Sequence, residues 1–230
     1  MEMPRGPPIV WYDACTNHVV TTLSYLLPFR SASAPTGEFI DYVNGLATHA
    51  EVLLIDGSPE PVYAAVESRR GATIRHLAPD ADLATVANGK VRGVLTGLRR
   101  ASHDAVVIAD DDVRHTPDTL QVLVDALDKA DVVRPQNYFS PLPWHARIDT
   151  ARILINRMTG GDWPGTLAVR RSRLVQTGGY DGDVLFENLE LVRTGWCWWY
   201  SKYAPDNVIL AELQRRARQT ENKNYAATEF

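Results

Sequence analysis

The sequence contains few cysteines, no long apolar segment and no excess of basic residues. Its two cysteines, Cys15 and Cys197, can form neither a disulfide network nor a four-cysteine zinc site, so we expect free thiols in a reducing compartment. No segment approaches the ~18 consecutive apolar residues that a membrane-spanning helix needs. The 24 Lys and Arg residues against 28 Asp and Glu residues give a net charge of −4, which argues against a dedicated nucleic-acid-binding protein.

The first residues also lack the features of a signal peptide. Met1–Pro8 contains one arginine and three prolines, and no apolar core of signal-peptide length precedes Asp13. The simplest expected location is therefore the cytoplasm, with peripheral association with a membrane as the alternative.

The overall composition is that of a globular protein, with 45% hydrophobic and 23% charged residues. A chain of 230 residues can bury a sizeable core. We predict an N-terminal extension at 1–17, a single domain at 18–221 with halves at 18–135 and 136–221, and a frayed polar tail at 222–230.

Short apolar runs alternate with helix-like segments, a pattern typical of an α/β fold with a mostly parallel sheet. The strands are expected at 24–28, 51–56, 73–77, 105–109, 131–135 and 166–170. The helices are expected at 36–49, 62–70, 82–100, from 116 onward, 146–158 and 172–177. Two helices have clear start signals, Thr36 as a cap and Thr116 followed by Pro117.

Acidic residues follow two of the predicted strands, where open α/β sheets bind their ligands. Asp56 ends the run EVLLID, and Asp110, Asp111 and Asp112 follow AVVIA. Three adjacent carboxylates repel one another unless a cation neutralises them, and oxygen ligands suit Mg²⁺ or Mn²⁺. In an extended segment Asp110 and Asp112 would point the same way and reach one ion. The alternative is a solvated acidic turn before the helix at Thr116.

The predicted helix before the aspartate strand begins near Asn88-Gly89-Lys90. An ammonium at Lys90 could meet a diphosphate, although the same residue could be an ordinary exposed lysine. Gly93 and Gly97 lie four residues apart on one helix face, which allows close approach of a neighbouring backbone.

Six segments in this order resemble a known family: LPFRS, LLIDGS, NGKVRGVLTGL, VVIADDDV, GDWPGTLAVRRS and GGYDGDVLFENLEL. Together they resemble the GT-A domain of a family 2 glycosyltransferase, in the group of ceramide-glucosyltransferase-like and polysaccharide-synthesising enzymes. The resemblance covers about Ser24 to Arg193. It implies a Rossmann-like, three-layer α/β/α fold with a mostly parallel central sheet.

The resemblance also implies a nucleotide-binding site. In the family, the loop after the first strand, the aspartate after the second strand and a Gly-Lys pair lie near the nucleotide, with the aspartate on the nucleoside base. These features match Pro28, Phe29, Arg30, Asp56, Gly89 and Lys90.

The family's DxD element holds a divalent metal on the sugar-nucleotide diphosphate. Asp110 and Asp112 match its two aspartates, with Asp111 as the variable middle residue beside the diphosphate. The resemblance therefore implies Mg²⁺ or Mn²⁺ as the cofactor.

The family's acidic pair, which supplies the catalytic base, falls on Glu187 and Asn188. Because an asparagine cannot act as a base, Glu187, or Glu190 one turn later, takes this role. A (Q/R)xxRW motif in membrane-bound members matches the segment that contains Arg215 and Arg218, with glutamine in place of its tryptophan. Both arginines are candidates to assist at the diphosphate, and a solvated basic helix face is the alternative.

These residues predict a metal-dependent inverting glycosyltransferase. It would move a sugar from a UDP- or GDP-sugar to an acceptor hydroxyl on a saccharide or a lipid-linked molecule. One alternative is a sugar nucleotidyltransferase, although the loop at 28–33 lacks the glycines that such enzymes carry after their first strand. The other is a catalytically degenerate GT-A protein that binds a partner or a sugar.

Aromatic and histidine residues are less informative. We expect a packing role for most tryptophans, including Trp144, and consider Trp163 in the GDWPG loop the best candidate for a sugar platform. His103 and His115 flank the aspartate strand, and for both we expect a surface position rather than a metal-ligand role.

Overall fold

Strands and helices alternate along the chain, as expected. The computed structural model describes residues 22–135 and 165–176, together with isolated helical positions at 144, 147, 148 and 151. In chain order the elements are β1 (Leu23–Phe29), α1 (Gly37–Leu46), β2 (Glu51–Asp56), α2 (Glu60–Glu67), β3 (Arg75–Leu77), α3 (Gly89–Arg100), β4 (Ala105–Ala109), α4 (Pro117–Leu127), β5 (Val132–Val133), β6 (Thr166–Arg170) and α5 (Arg171–Gln176). Within these described parts, every helix is too short or too polar to cross a membrane.

The strands form one sheet in the order β3–β2–β1–β4–β6–β5. Strands β1, β2, β3 and β4 run parallel to one another, whereas β6 is antiparallel to both β4 and β5. The prediction of a mostly parallel sheet is therefore confirmed. The chain moves outward from β1 through β2 to β3 and then returns to the other side of β1 at β4. This reversal of strand order leaves a crevice at the carboxyl ends of β1 and β4.

Strand β1 is buried on both faces because its side chains alternate between two helical layers. Leu23, Tyr25 and Leu27 pack in the cluster that contains the apolar faces of α1, α2 and α4. Leu26 packs in the second cluster, with α3 and with Leu174 of α5. The result is the expected three-layer α/β/α arrangement.

Helix α3 begins at Gly89, which corrects the predicted start at 82. The Asn88 side chain accepts hydrogen bonds from the backbone N–H groups of Lys90 (2.9 Å) and Val91 (3.3 Å), and so caps the helix there. The residues upstream form a 3₁₀ turn at Ala81–Leu83 instead. The apolar periodicity extends from the 3₁₀ turn into α3 and gave no sign of the break between them. The Asn88 cap sets the start of the helix.

Other element ends differ by a few residues. Helix α1 starts after Thr36 as predicted, but ends at Leu46, three residues before the predicted end. Helix α2 starts and ends earlier than expected, with Pro59 before its first residue and Pro61 in its first turn, where a proline is well tolerated. The fifth strand is limited to the two residues that pair with β6.

Helix α3 lies unusually close to the sheet through its two buried glycines. A Cβ atom on Gly93 would lie 3.0 Å from Cβ of Pro28, and one on Gly97 would lie 3.0 Å from side-chain atoms of Leu26 and Ile55. The predicted close approach at these glycines is therefore confirmed. It brings the first turn of α3 beside the carboxyl end of β1.

Glu51 ties together the opposite, amino-terminal edge of the sheet. Its carboxylate accepts hydrogen bonds from the Ser24 hydroxyl (2.5 Å), from the Ser102 backbone N–H (2.9 Å) and hydroxyl (2.7 Å), and from the Arg75 guanidinium (2.6 Å). Burial alone would raise the pKa of Glu51, but these hydrogen bonds outweigh it and lower the pKa from 4.5 to about 2. The charged form therefore stabilises the junction of β1, β2, β3 and the end of α3.

We expect Glu51→Gln to lower the free energy of unfolding by about 2 kcal/mol at pH 7. Because the folded-state pKa is the lower one, this stabilisation is complete above pH 4.5 and is lost as the pH falls towards 2. Urea unfolding at several pH values measures the difference. Asp41→Asn, on the exposed side of α1, is the control. A deficit for Glu51→Gln that stays constant down to pH 2 would contradict the interpretation.

Candidate functional site

A cleft of about 320 Å³ opens at the carboxyl ends of β1 and β4, beside the start of α1. Two aromatic rings and four charged side chains line it: Phe29, Phe39, Arg30, Asp111, Asp112 and Arg114. The cleft coincides with the point where the strand order reverses, which is the usual ligand site of open α/β sheets.

The aromatic side of the cleft is rigid. The rings of Phe29 and Phe39 stack with centroids 4.9 Å apart at 25°, and both residues are buried. Phe29 ends β1 and Phe39 lies in the first turn of α1, so this contact holds the helix against the strand. Phe39 is not among the residues that the sequence predicted for the site, although it lines the cleft.

The three aspartates after β4 form a turn, which was the alternative to an extended segment. The backbone N–H of Asp110 donates to Gly165 (2.9 Å), which continues the pairing of β4 with β6, and the N–H of Val113 then donates back to Asp110 (3.2 Å). In this turn Asp111 and Asp112 both line the cleft. Asp110 takes a separate position.

Asp110 pairs with Lys90. The ammonium Nζ lies 2.5 Å from Oδ1 of Asp110, and the two side chains are 27% and 33% exposed. Lys90 stands in the first turn of α3, which Gly93 holds against Pro28, so helix packing sets this distance. The structure thus brings together Lys90 and Asp110, two residues that the sequence analysis assigned to one site, with Gly89 at the same helix start.

The aspartate turn is the predicted metal site, and its carboxylates take two different positions. Among the described residues, no group of three or more His, Cys, Asp or Glu side chains is arranged to hold a metal. The turn does supply adjacent carboxylates, and Asp110 already faces a cation. Mg²⁺ commonly takes one or two carboxylates and completes its shell with phosphate oxygens and water. The structure places Asp112 at the cleft with Asp111, and Asp110 against Lys90, so the pair of Asp110 and Asp112 as metal ligands stays a prediction.

Asp56 lies at the end of β2 with its side chain fully buried. Its Oδ1 accepts a hydrogen bond from the Ser58 N–H (2.8 Å), and its Oδ2 lies 3.1 Å from Nε2 of His76. Burial would raise the pKa of Asp56, but the hydrogen bonds from His76 and Ser58 outweigh it and lower the pKa. Asp56 is not among the residues that line the cleft, and its carboxylate acts on the cleft by holding the turn at Gly57 and Ser58.

That turn is joined to the end of β1. The N–H of Gly57 donates to the carbonyl of Phe29 (2.9 Å), and the N–H of Ser31 donates to the Ser58 hydroxyl (2.9 Å). Phe29 and Ser31 both line the cleft, with Arg30 between them. The loop that contains Arg30 is therefore fixed by the residues that follow β2.

Arg114 is a cleft residue that the sequence analysis missed. Its guanidinium lies 4.7 Å from the ring centroid of Tyr42 and donates to the backbone carbonyl of Asp111 (2.7 Å). A basic residue two positions after an acidic cluster is a weak signal by itself. The structure places Arg114 in the cleft wall, beside Tyr42 of α1.

His115 is half-buried, which corrects its predicted surface position. Its backbone N–H donates to the Tyr42 hydroxyl (2.9 Å), and its Nδ1 lies 3.2 Å from the Tyr25 hydroxyl. Burial lowers the pKa of the ring to about 4, so His115 is neutral at pH 7. Together, Tyr25, Tyr42 and His115 anchor the end of the aspartate turn to α1 and β1.

Several predicted residues lie outside the described part of the chain: Glu187, Glu190, Arg215, Arg218 and Trp163. Trp144 is 74% exposed, so its side chain is not part of the buried core. His103 uses its backbone N–H to bond the Ser24 hydroxyl at the opposite edge of the sheet, away from the aspartate turn.

The sequence of residues 52–204, about two thirds of the chain, matches the family described as "Glycosyl transferase family 2". The chain belongs to this family. The match confirms the predicted family and enzyme class. It begins within β2, so β1 and the Pro28–Arg30 loop precede it, and it ends before Arg215. No curated protein sequence matches the chain.

Solved structures of other glycosyltransferases share the fold of this family 2 chain. A mannosyltransferase from Pyrobaculum calidifontis, in complex with GDP-Man and Mn²⁺, aligns with a TM-score of 0.52 and 18% identity over 76% of this chain and 51% of its own. Glucosyl-3-phosphoglycerate synthase from Mycobacterium tuberculosis, with Mn²⁺, UDP and phosphoglyceric acid, aligns with a TM-score of 0.54 and 22% identity over 75% of this chain and 63% of its own. This chain therefore spans between half and two thirds of their length, and the likeness confirms the GT-A, Rossmann-like fold.

We expect Tyr42→Phe to lower the free energy of unfolding by about 1 kcal/mol, because the half-buried N–H of His115 loses its acceptor. Faster amide exchange at His115 should accompany the change, and urea unfolding with hydrogen-exchange NMR measures both. Tyr63→Phe is the matched control, since Tyr63 makes its ring contact with His76 through the face of the ring. Equal effects of the two substitutions would contradict this role for the Tyr42 hydroxyl.

Proposed function

We propose that this family 2 domain transfers a sugar from a nucleoside-diphosphate sugar to an acceptor hydroxyl, with a divalent cation and with inversion at the anomeric carbon. The observation that carries the proposal is the Lys90–Asp110 pair beside the aspartate turn, at the reversal point of the sheet. A diphosphate with a cation requires basic groups and carboxylates at one place, and this arrangement supplies both.

The donor that we propose is a UDP- or GDP-sugar. The mannosyltransferase contains GDP-Man with Mn²⁺, and the synthase contains UDP with Mn²⁺ or with Mg²⁺, so both nucleotides suit this fold. In this chain the Pro28–Arg30 loop, Asp56, Gly89 and Lys90 form the proposed nucleotide side. Arg215 and Arg218 are proposed as additional basic groups at the diphosphate.

Asp110 and Asp112 would hold Mg²⁺ or Mn²⁺, with Asp111 beside the diphosphate. The bound cation supplies positive charge that stabilises the leaving diphosphate. Lys90 and Arg30 add fixed positive charge on the protein side. When a ligand binds, Lys90 is positioned to exchange its contact with Asp110 for one with a phosphate oxygen.

Glu187 is the proposed base, with Glu190 as the alternative. The base takes the proton of the acceptor hydroxyl while the acceptor oxygen bonds to the anomeric carbon. The bond from that carbon to the diphosphate oxygen breaks, and the nucleoside diphosphate leaves with the electron pair. Attack opposite the leaving group inverts the configuration, which requires the acceptor to be held in line. The acceptor is a saccharide or lipid-linked hydroxyl in this proposal.

Titration calorimetry with UDP and GDP, each with and without Mn²⁺, tests the donor site. We expect one nucleotide to bind in a metal-dependent manner, and Asp112→Asn to weaken that binding at least about tenfold. Asp118→Asn removes an exposed carboxylate from the first turn of α4 and should bind as the wild type does. Absence of binding by either nucleotide under every metal condition, or an equal loss in both variants, would overturn the donor-site assignment.

Donor hydrolysis tests the chemistry, because water can replace an unidentified acceptor. We expect the wild type to release a nucleoside diphosphate, and Glu187→Gln to slow this release by at least about 100-fold with unchanged donor binding. Glu190→Gln is the matched control, and a loss confined to it would transfer the role of base to Glu190. Pyrophosphate release from a nucleoside triphosphate would indicate a nucleotidyltransferase instead. Tight nucleotide binding without turnover would indicate a degenerate domain.

A further inference from the structure

His76 lies in the middle of β3 between two carboxylates. Its side chain is fully buried, with Nδ1 2.7 Å from Oε2 of Glu67 and Nε2 3.1 Å from Oδ2 of Asp56. The ring of Tyr63 stacks on it with a centroid separation of 4.0 Å at 19°. Glu67 and Tyr63 belong to α2, so His76 connects that helix with the end of β2.

Both ring nitrogens face carboxylate oxygens, and both contacts are hydrogen bonds only when each nitrogen carries a proton. A neutral imidazole carries one N–H and one lone pair, so one of its nitrogens would turn a lone pair towards a carboxylate. Both carboxylates are ionised near neutral pH. The hydrogen bond from Arg70 is the main cause that lowers the pKa of Glu67 to about 2, and His76 adds to it. The pKa of Asp56 is also lowered.

The groups around the ring carry two negative charges and one positive charge. Asp56 and Glu67 contribute two negative charges, and Arg70 contributes one positive charge. The Arg70 guanidinium donates to both carboxylate oxygens of Glu67 and to the backbone carbonyls of Gly71 and Ile74. An imidazolium at His76 supplies a second positive charge. Tyr63, the remaining titratable group against the ring, has its pKa raised by burial and is neutral.

His76 is connected to the cleft by a chain of hydrogen bonds that begins at Asp56. Asp56 fixes the N–H of Ser58, and the Ser58 hydroxyl in turn accepts from the N–H of Ser31 in the cleft. A buried carboxylate that lost its cationic partner would move towards water, because a buried unpaired charge is strongly unfavourable. Such a movement would displace the loop that contains Arg30.

We propose that His76, as a buried imidazolium that donates to Asp56 and Glu67 at once, is a positioning residue for the nucleotide-binding loop at the end of β1. Its effect on nucleotide affinity rests on the proposed function, whereas its protonation and its effect on the loop do not. Substitutions at His76 therefore act on ligand binding without contact between this residue and the ligand.

Nitrogen-15 NMR of the full chain tests the protonation directly. We expect both ring nitrogens of His76 to carry protons at pH 7, with the signals assigned by their loss in His76→Gln. In Glu67→Gln the new amide can donate to Nδ1, so a neutral ring keeps its bond to Asp56. We therefore expect one unprotonated nitrogen in that variant. An unprotonated ring nitrogen in the wild type at pH 7 would overturn the proposal.

Binding of the nucleotide and amide exchange test the positioning role. We expect His76→Gln to weaken UDP or GDP binding about tenfold and to speed amide exchange at Ser31 and Ser58. We expect the wild-type affinity for the nucleotide to fall with rising pH over the range in which NMR shows the loss of a His76 ring proton. The Glu67→Gln variant should not show this pH dependence. His103→Gln, at the opposite edge of the sheet, is the matched control.

The outcomes separate the two proposals. If the wild type binds neither nucleotide, the donor site is rejected. The NMR and exchange measurements would then still decide the role of His76. A folded His76→Gln that matches the wild type in affinity and in exchange at Ser31 would overturn the positioning role. If His76→Gln fails to fold, Glu67→Gln decides: pH dependence equal to that of the wild type would reject the proposal.

Discussion

The central position of β1 is the constraint on which the rest of the structure depends. It pairs in parallel with β2 on one side and β4 on the other, so the three strands present their carboxyl ends at the same edge. Alternation along β1 buries one set of side chains under α1, α2 and α4 and the other under α3. Every predicted site residue in the described part of the chain ends or follows one of these strands, or begins a helix packed on them.

Carboxylates at both edges of the sheet are held by partners from distant elements. At the amino edge Glu51 accepts from Ser24, Ser102 and Arg75, and its low pKa reflects a junction that is built for stability. At the carboxyl edge Asp110 faces Lys90 and Asp56 faces His76. The second edge differs because Asp111, Asp112 and Arg30 stand open to a cleft, where a ligand can complete their interactions.

Local signals predicted much of the fold and failed at identifiable points. Strands β2, β4 and β6 and the caps at Thr36 and Thr116 follow from apolar runs and capping chemistry, which act over a few residues. The start of α3 was misplaced because apolar periodicity extended past the competing cap at Asn88. The sequence left open whether the aspartates are extended or in a turn, and the bond from Val113 to Asp110 folds them into a turn.

The sequence by itself determined the alternation of strands and helices, the family and the carboxylates that end the strands, because these depend on local pattern and residue order. Only the tertiary structure decided the partners of those carboxylates. His76 is 20 residues from Asp56, and Arg114 meets Tyr42 of α1 from across the aspartate turn. Such pairs depend on how the helices pack on the sheet, and the spacing of two residues along the chain does not give the distance between their side chains.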